Sequence, residues 1–115
     1  MKNLFAILVM ICCCLFTSCD TSILKEDAPI QVSFRDSLMF KGQVLRVTNT
    51  SNTAHLSCLL TVSNDTQNQK KSYSFSLAPH QTHEVGMLEM DWAFETGESV
   101  SIKVEGYATA RYKVP

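Results

Sequence analysis

From Ile30 to Val114 the apolar residues recur at every second position, in short runs separated by polar clusters. A period of two marks a strand with one face buried and the other in water. About seven such runs can be traced. Ile30, Val32 and Phe34 alternate in the first, and Leu45 with Val47 in the second, which stops at Asn49-Thr50-Ser51-Asn52. The third is the most regular: Leu56, Cys58, Leu60 and Val62 share one face and Ser57 and Thr61 the other, so Cys58 is expected in the core. After the polar stretch 64–71, Tyr73, Phe75 and Leu77 alternate with serines up to a break at Pro79, and His83, Val85 and Met87 form a fifth run. Val100, Ile102 and Val104 make the sixth, and Ala110, Tyr112 and Val114 the last. No long segment repeats at 3.6 residues, so little helix is expected. Short, evenly spaced strands with polar outer faces suit two antiparallel sheets packed face to face. The pattern predicts an all-β fold, a single immunoglobulin-like sandwich of about seven strands over residues 30–115.

Upstream the pattern changes. Met1-Lys2-Asn3 is a short positive start, and Leu4 to Phe16 is an unbroken apolar run of 13 residues. A bilayer span needs ~20 apolar residues, so the run is too short for one and has the length of a secretory signal core. It is followed by Leu15-Phe16-Thr17-Ser18-Cys19, which resembles the lipobox of bacterial lipoproteins, with Phe16 where that motif usually has leucine. The resemblance implies that residues 1–18 are a signal peptide that is removed. It also implies that Cys19 becomes the first residue of the mature chain, with a diacylglyceryl group on its thiol and usually a further acyl chain on its amine. Two or three acyl chains hold a protein on a membrane far more firmly than one. The expected location is therefore the bacterial cell envelope, with the membrane as one partner through Cys19 and inner versus outer membrane left open. Residues 20–29 are polar, end in Pro29 and read as a linker that reaches at most ~35 Å when fully extended.

Composition narrows the classes. Beyond the leader the chain is long enough for one small domain, which excludes a large multi-domain enzyme. Ten basic residues stand against eleven acidic ones, and this lack of a basic surplus disfavours a nucleic-acid partner. Of five cysteines, Cys12, Cys13 and Cys14 lie inside the apolar run, and the lipobox resemblance implies that Cys19 is the lipidation site. Cys58 is left without an intramolecular partner, so the domain must fold without a disulfide. Phe75-Ser76-Leu77-Ala78-Pro79-His80-Gln81-Thr82 resembles the strand, proline turn, strand pattern of bacterial immunoglobulin-like and fibronectin-III-like modules, with His80 where those often have glycine. Downstream, Gly86, Glu89, Trp92, Phe94, Gly97 and Glu98, with Gly106 and Tyr107, resemble a pattern near the end of small bacterial exported domains; neither resemblance carries a chemistry.

Candidate chemistry is sparse. His80, His83 and Glu84 are residue types that bind zinc, but histidines three apart point to opposite faces of an extended strand, and no metal site is expected. No nucleophile elbow, Ser-x-x-Lys pair or phosphate loop occurs, and the carboxylates Glu89, Asp91, Glu95 and Glu98 read as the solvated rim of one loop rather than as a catalytic acid and base. The sequence therefore predicts no catalytic residues, no cofactor and a non-enzymatic interaction or structural module with an envelope protein as its partner. The alternatives are an inhibitor of a hydrolase such as a lysozyme and a small metal-dependent enzyme. Residues 89–98 form the longest segment without alternation, so Trp92, Phe94, Glu89 and Asp91 are the candidate contact residues. Trp92 has a competing reading as an aromatic plug at the end of the sandwich.

Overall fold

The structure, a computed structural model, describes residues 25–115; the leader and Cys19 lie outside the described residues. Strands β1 (Ile30–Asp36), β2 (Gln43–Asn49) and β5 (Thr82–Val85) form one sheet in the order β1-β2-β5. Strands β3 (Leu56–Asn64), β4 (Gln69–Leu77), β6 (Ser99–Val104) and β7 (Ala110–Lys113) form a second in the order β4-β3-β6-β7. All pairings within the sheets are antiparallel, and the two sheets enclose one core, so the domain is an immunoglobulin-like β-sandwich. In a constant-type immunoglobulin domain the fourth strand completes the first sheet; here β4 pairs along its length with β3, and the strands divide three against four.

The alternation sets what is buried. Leu56, Cys58, Leu60 and Val62 of β3 face inward opposite Val100, Ile102 and Val104 of β6, and Leu45 and Val47 of β2 meet them from the other sheet. The polar stretch after β3 proves shorter as a turn than its composition suggests: only Asp65–Asn68 leaves the ladder, because Asn64, Gln69 and Lys70 are polar residues on paired strands. The fifth run also ends early. Met87 does not continue β5 but opens a single helical turn, α1 (Met87–Met90). Glu89 reaches back to accept the Gly86 N–H at 2.8 Å, which satisfies a donor at the start of the turn as in half of a capping box.

The two poles of the sandwich are closed differently. At the near pole, where the chain enters, Ala108 donates to the Glu26 carbonyl at 2.9 Å and Thr50 to the Pro29 carbonyl at 2.8 Å. The last residues of the expected linker are thus docked on the β6–β7 and β2–β3 connections. Asn49, fully buried, holds this pole together: Nδ2 donates to the carbonyls of Ala54 (2.7 Å), Ala78 (3.1 Å) and Leu77 (3.3 Å), and Oδ1 accepts the Ser51 N–H at 2.9 Å. One side chain thereby satisfies backbone groups of two connections that would otherwise be buried and unpaired. His80 sits in the β4–β5 turn at φ 63, a left-handed conformation that favours glycine.

Cys58 is buried, and loss of solvent pushes its thiol up to about 11, so neither access nor ionisation favours reaction. Iodoacetamide applied to the native protein should leave the peptide carrying Cys58 unmodified and should label it fully in denaturant, as read by peptide mass. Cys58→Ser should cost about 1–3 kcal/mol through a buried hydroxyl without a designed partner.

Candidate functional site

The far pole carries the β1–β2 and β3–β4 turns, α1, the strap 91–98 and the C-terminal residues. The strap lies within the segment 89–98 singled out from the sequence, and it is fastened at its end by Glu98. This carboxylate is only 6% exposed. It accepts three hydrogen bonds: Asn64 Nδ2 donates to Oε2 at 2.8 Å, while Trp92 Nε1 (3.1 Å) and the Glu95 N–H (2.7 Å) donate to Oε1. A buried carboxylate is tolerable only when its lone pairs are used in this way. Glu98 is therefore a fastener, not part of a solvated rim.

Backbone bonds carry the fastening across both sheets. The Gln43 N–H at the start of β2 donates to the Phe94 carbonyl at 2.8 Å, Gly97 to Val114 at 2.8 Å and Val114 to Glu98 at 3.0 Å. Gly42 lies so close to the strap that an added Cβ would stand 2.7 Å from the Phe94 carbonyl oxygen, and its φ of +85° favours glycine independently. The strap thus ties the first strand pair of the smaller sheet to the end of the larger one.

This arrangement sorts the four expected contact residues. Phe94 is corrected: it has no exposed surface and packs edge-on against Phe34 at 6.4 Å between ring centroids. It is the plug of the far pole, because the strap's backbone pairing with Gln43 turns its ring inward. Trp92 is half-buried, packs on the core's margin and is oriented by its bond to Glu98. Glu89 is exposed but engaged with Gly86. Asp91, with its side chain 85% exposed, occupies a left-handed position at φ 55 with Lys71 3.9 Å away. The structure brings Asp91, Trp92, Glu95 and Glu98 around one shallow depression with Gln67 and Gln69; Glu89 lies apart, on the α1 side.

The α1 side holds what sequence reasoning missed. Leu38, Met39 and Phe40 stand consecutively at the tip of the β1–β2 turn, with Leu38 92% and Met39 81% exposed, and Leu88 of α1 is 75% exposed. The tip is shaped from within: Ser37 N–H bonds the Gly42 carbonyl at 3.0 Å, and Phe40 N–H bonds Ser37 Oγ at 3.1 Å. Between the tip and α1 runs an open groove of about 250 Å³ with an apolar wall of Leu38, Phe40, Val44 and Met87. Its polar floor is Glu84, gripped by Arg35 through two bonds of 2.8 and 3.1 Å and approached by Arg46 at 3.3 Å. The Arg35 hydrogen bond holds the Glu84 carboxyl below the usual carboxylate range. The signal in the sequence was the breach of alternation itself, since three consecutive large apolar residues in a turn have no place in a pattern of period two.

Other residue types considered for chemistry are dispersed. His83 stacks on Phe75 at 5.0 Å and on Tyr73 at 5.9 Å, with Nε2 3.1 Å from the Tyr73 hydroxyl. His80 is exposed in its turn, and Glu84 belongs to the two arginines. Among the described residues no three His, Cys, Asp or Glu side chains gather as metal ligands, and no helix is long and apolar enough to cross a membrane. Comparison with protein-family models, with curated proteins and with solved structures gave no match to this chain.

Phe94→Ala should lower stability by about 3–5 kcal/mol, as expected for loss of a fully buried aromatic. Trp92→Ala should cost less than half of that, since its ring is only partly covered. Urea midpoints of the two variants measure the difference, and equal losses would return Trp92 to the role of plug.

Proposed function

We propose that this chain is a lipid-anchored, non-enzymatic binding module of the bacterial cell envelope, and that its contact surface is the apolar tip of the far pole. The observation that carries the reading is the exposure of Leu38, Met39, Phe40 and Leu88 around one groove, where four of the five exposed large apolar side chains among the described residues gather, Leu59 on the larger sheet being the fifth. Contiguous exposed apolar surface is costly in water and marks interaction sites. Position supports it as well. The chain enters at the near pole, seven residues from Cys19 to Lys25 extend at most ~25 Å, and β1 then runs its length away from that entry. The tip therefore faces outward from the proposed anchor, toward a protein partner rather than toward the anchoring bilayer.

The same tip favours a second reading, an inhibitor that presents Leu38, Met39 and Phe40 to the cleft of a hydrolase. Both are binding functions and share the contact surface. Catalysis has less support. Glu98, the one buried carboxylate among the described residues, has its oxygens engaged by three donors, and Glu84 is committed to Arg35 and Arg46.

Two measurements test the reading. Metabolic labelling with a fatty acid should mark the wild-type protein and leave Cys19→Ser unlabelled; equal labelling of both refutes the anchor. A photo-reactive residue placed at Leu38 or Leu88 of the full-length chain in cells should give one discrete heavier adduct, absent when the probe replaces exposed Asn52 at the near pole. Adducts independent of position would refute the tip as the contact surface. Loss of activity of a purified lysozyme on adding the protein, relieved by Met39→Ser, would select the inhibitor reading.

A further inference from the structure

The near balance of total charge conceals a strong asymmetry. The four strands of the larger sheet contain Lys70, Lys71, Lys103, Arg111 and Lys113 and not one acidic residue. In the smaller sheet Arg35 and Arg46 are offset by Asp36 and Glu84. Strand register arranges four of these cations, Lys70, Lys103, Arg111 and Lys113, on the outer face, whereas Lys71 pairs with the inward-facing Val62. Lys70, Ser63, Ser99 and Lys113 lie opposite one another in a row across all four strands. The next outward row is Ser72, Thr61, Ser101 and Arg111. The result is an open trough of about 420 Å³ with Lys70 on one edge, Arg111 and Lys113 on the other, and a floor of Thr61, Ser63, Ser99 and Ser101. Lys113 already leans across the floor, its Nζ donating to Ser99 Oγ at 2.8 Å.

Three strand spacings separate the two cationic edges, roughly 14 Å. That is the separation of the backbones, part of which the long side chains close, as Lys113 does; a single phosphate or carboxylate held between them would still leave most of the floor hydroxyls unused. A ligand that uses the whole trough carries anionic groups well apart, with neutral hydrogen-bonding groups between them to meet the serine and threonine hydroxyls. We propose that this trough binds an acidic polysaccharide, its charged groups on the two edges and its sugar hydroxyls on the floor. A nucleic acid fits less well, because single strands are held by stacking on aromatic rings. Tyr73 and Phe75 alternate to the opposite face, and Tyr112, which borders the trough on its edge strand, has the same inward register as Val100. An anionic bilayer would meet the edge cations but leave the floor hydroxyls unused. The trough lies on the flank of the sandwich, so it is independent of the far-pole contact surface and stands or falls separately.

The test uses the full-length chain in non-ionic detergent over immobilised polygalacturonate and dextran sulfate, with neutral dextran as control. The protein should be retained by at least one acidic matrix and not by neutral dextran. Arg111→Ser with Lys113→Ser should weaken binding about tenfold or more, since each removes a charge-assisted hydrogen bond. The charge-matched pair Lys25→Ser with Lys41→Ser, off the face, should change it by less than about twofold. Ser63→Ala with Ser101→Ala should weaken it about threefold by removing floor hydroxyls. Lys70→Ser on the opposite edge should also weaken binding, and supplies an independent variant should the β7 pair loosen that edge strand. The proposal is overturned by a lack of retention on both acidic matrices, or by equal losses in the two charge-matched pairs. It is also overturned if single-stranded DNA or phosphatidylglycerol vesicles bind as tightly with the same variant dependence.

Discussion

The far pole depends on one buried carboxylate. Glu98 gathers donors from β3, from the strap and from an indole, and its own backbone carbonyl receives Val114. Removing such a group would leave several donors without partners in a place water reaches poorly, which costs more than the bonds themselves contribute. Because the strap is held at Glu98, Phe94 can be held inside and its carbonyl can meet Gln43. Because Phe94 is fixed, Gly42 can pass within close contact of it and turn the chain into the exposed tip. The geometry of the contact surface therefore begins with a residue that does not belong to that surface.

Asn49 does the corresponding work at the near pole, with an amide in place of a carboxylate. A small sandwich without a disulfide has two open ends through which its core could be wetted, and each end here is closed by one buried polar side chain bonded to connecting backbone. The sheets between them are free to differ in surface character. The smaller sheet carries balanced charge and supports the apolar tip, while the larger presents hydroxyls and cations with Leu59 as an exposed apolar residue among them. The proposed anchor on the near side, the proposed protein contact at the far pole and the proposed glycan trough on the flank can be used together because they occupy different parts of the surface.

The sheet architecture was legible because burial on one face imposes a period of two, and Leu56, Cys58, Leu60 and Val62 obey it without exception. The strap was not legible, because its order comes from contacts distant in sequence. The pattern of types near Glu98 does not distinguish it from Glu95, yet one is buried and the other exposed; Glu98 takes two donors from its own strap, Trp92 and the Glu95 N–H, and a third from Asn64, 34 residues away. The same holds for the aromatic pair. Trp92 and Phe94 are two apart, and only the bridge to Gln43 decides which of them plugs the pole. Charge was misleading for a related reason, since a sum over the chain cannot show that Lys70, Lys103, Arg111 and Lys113 share one face. Pairing register shows it at once.

Site-resolved amide hydrogen exchange in Glu98→Ala tests the central claim most directly. If Glu98 fastens the pole, protection at the amides of Gln43, Glu95 and Val114 should fall by at least about tenfold, while Leu60 and Ile102 between the sheets keep protection limited only by global unfolding. Unchanged protection at Gln43 and Val114 would contradict the account, because the strap would then be held by its backbone pairing alone.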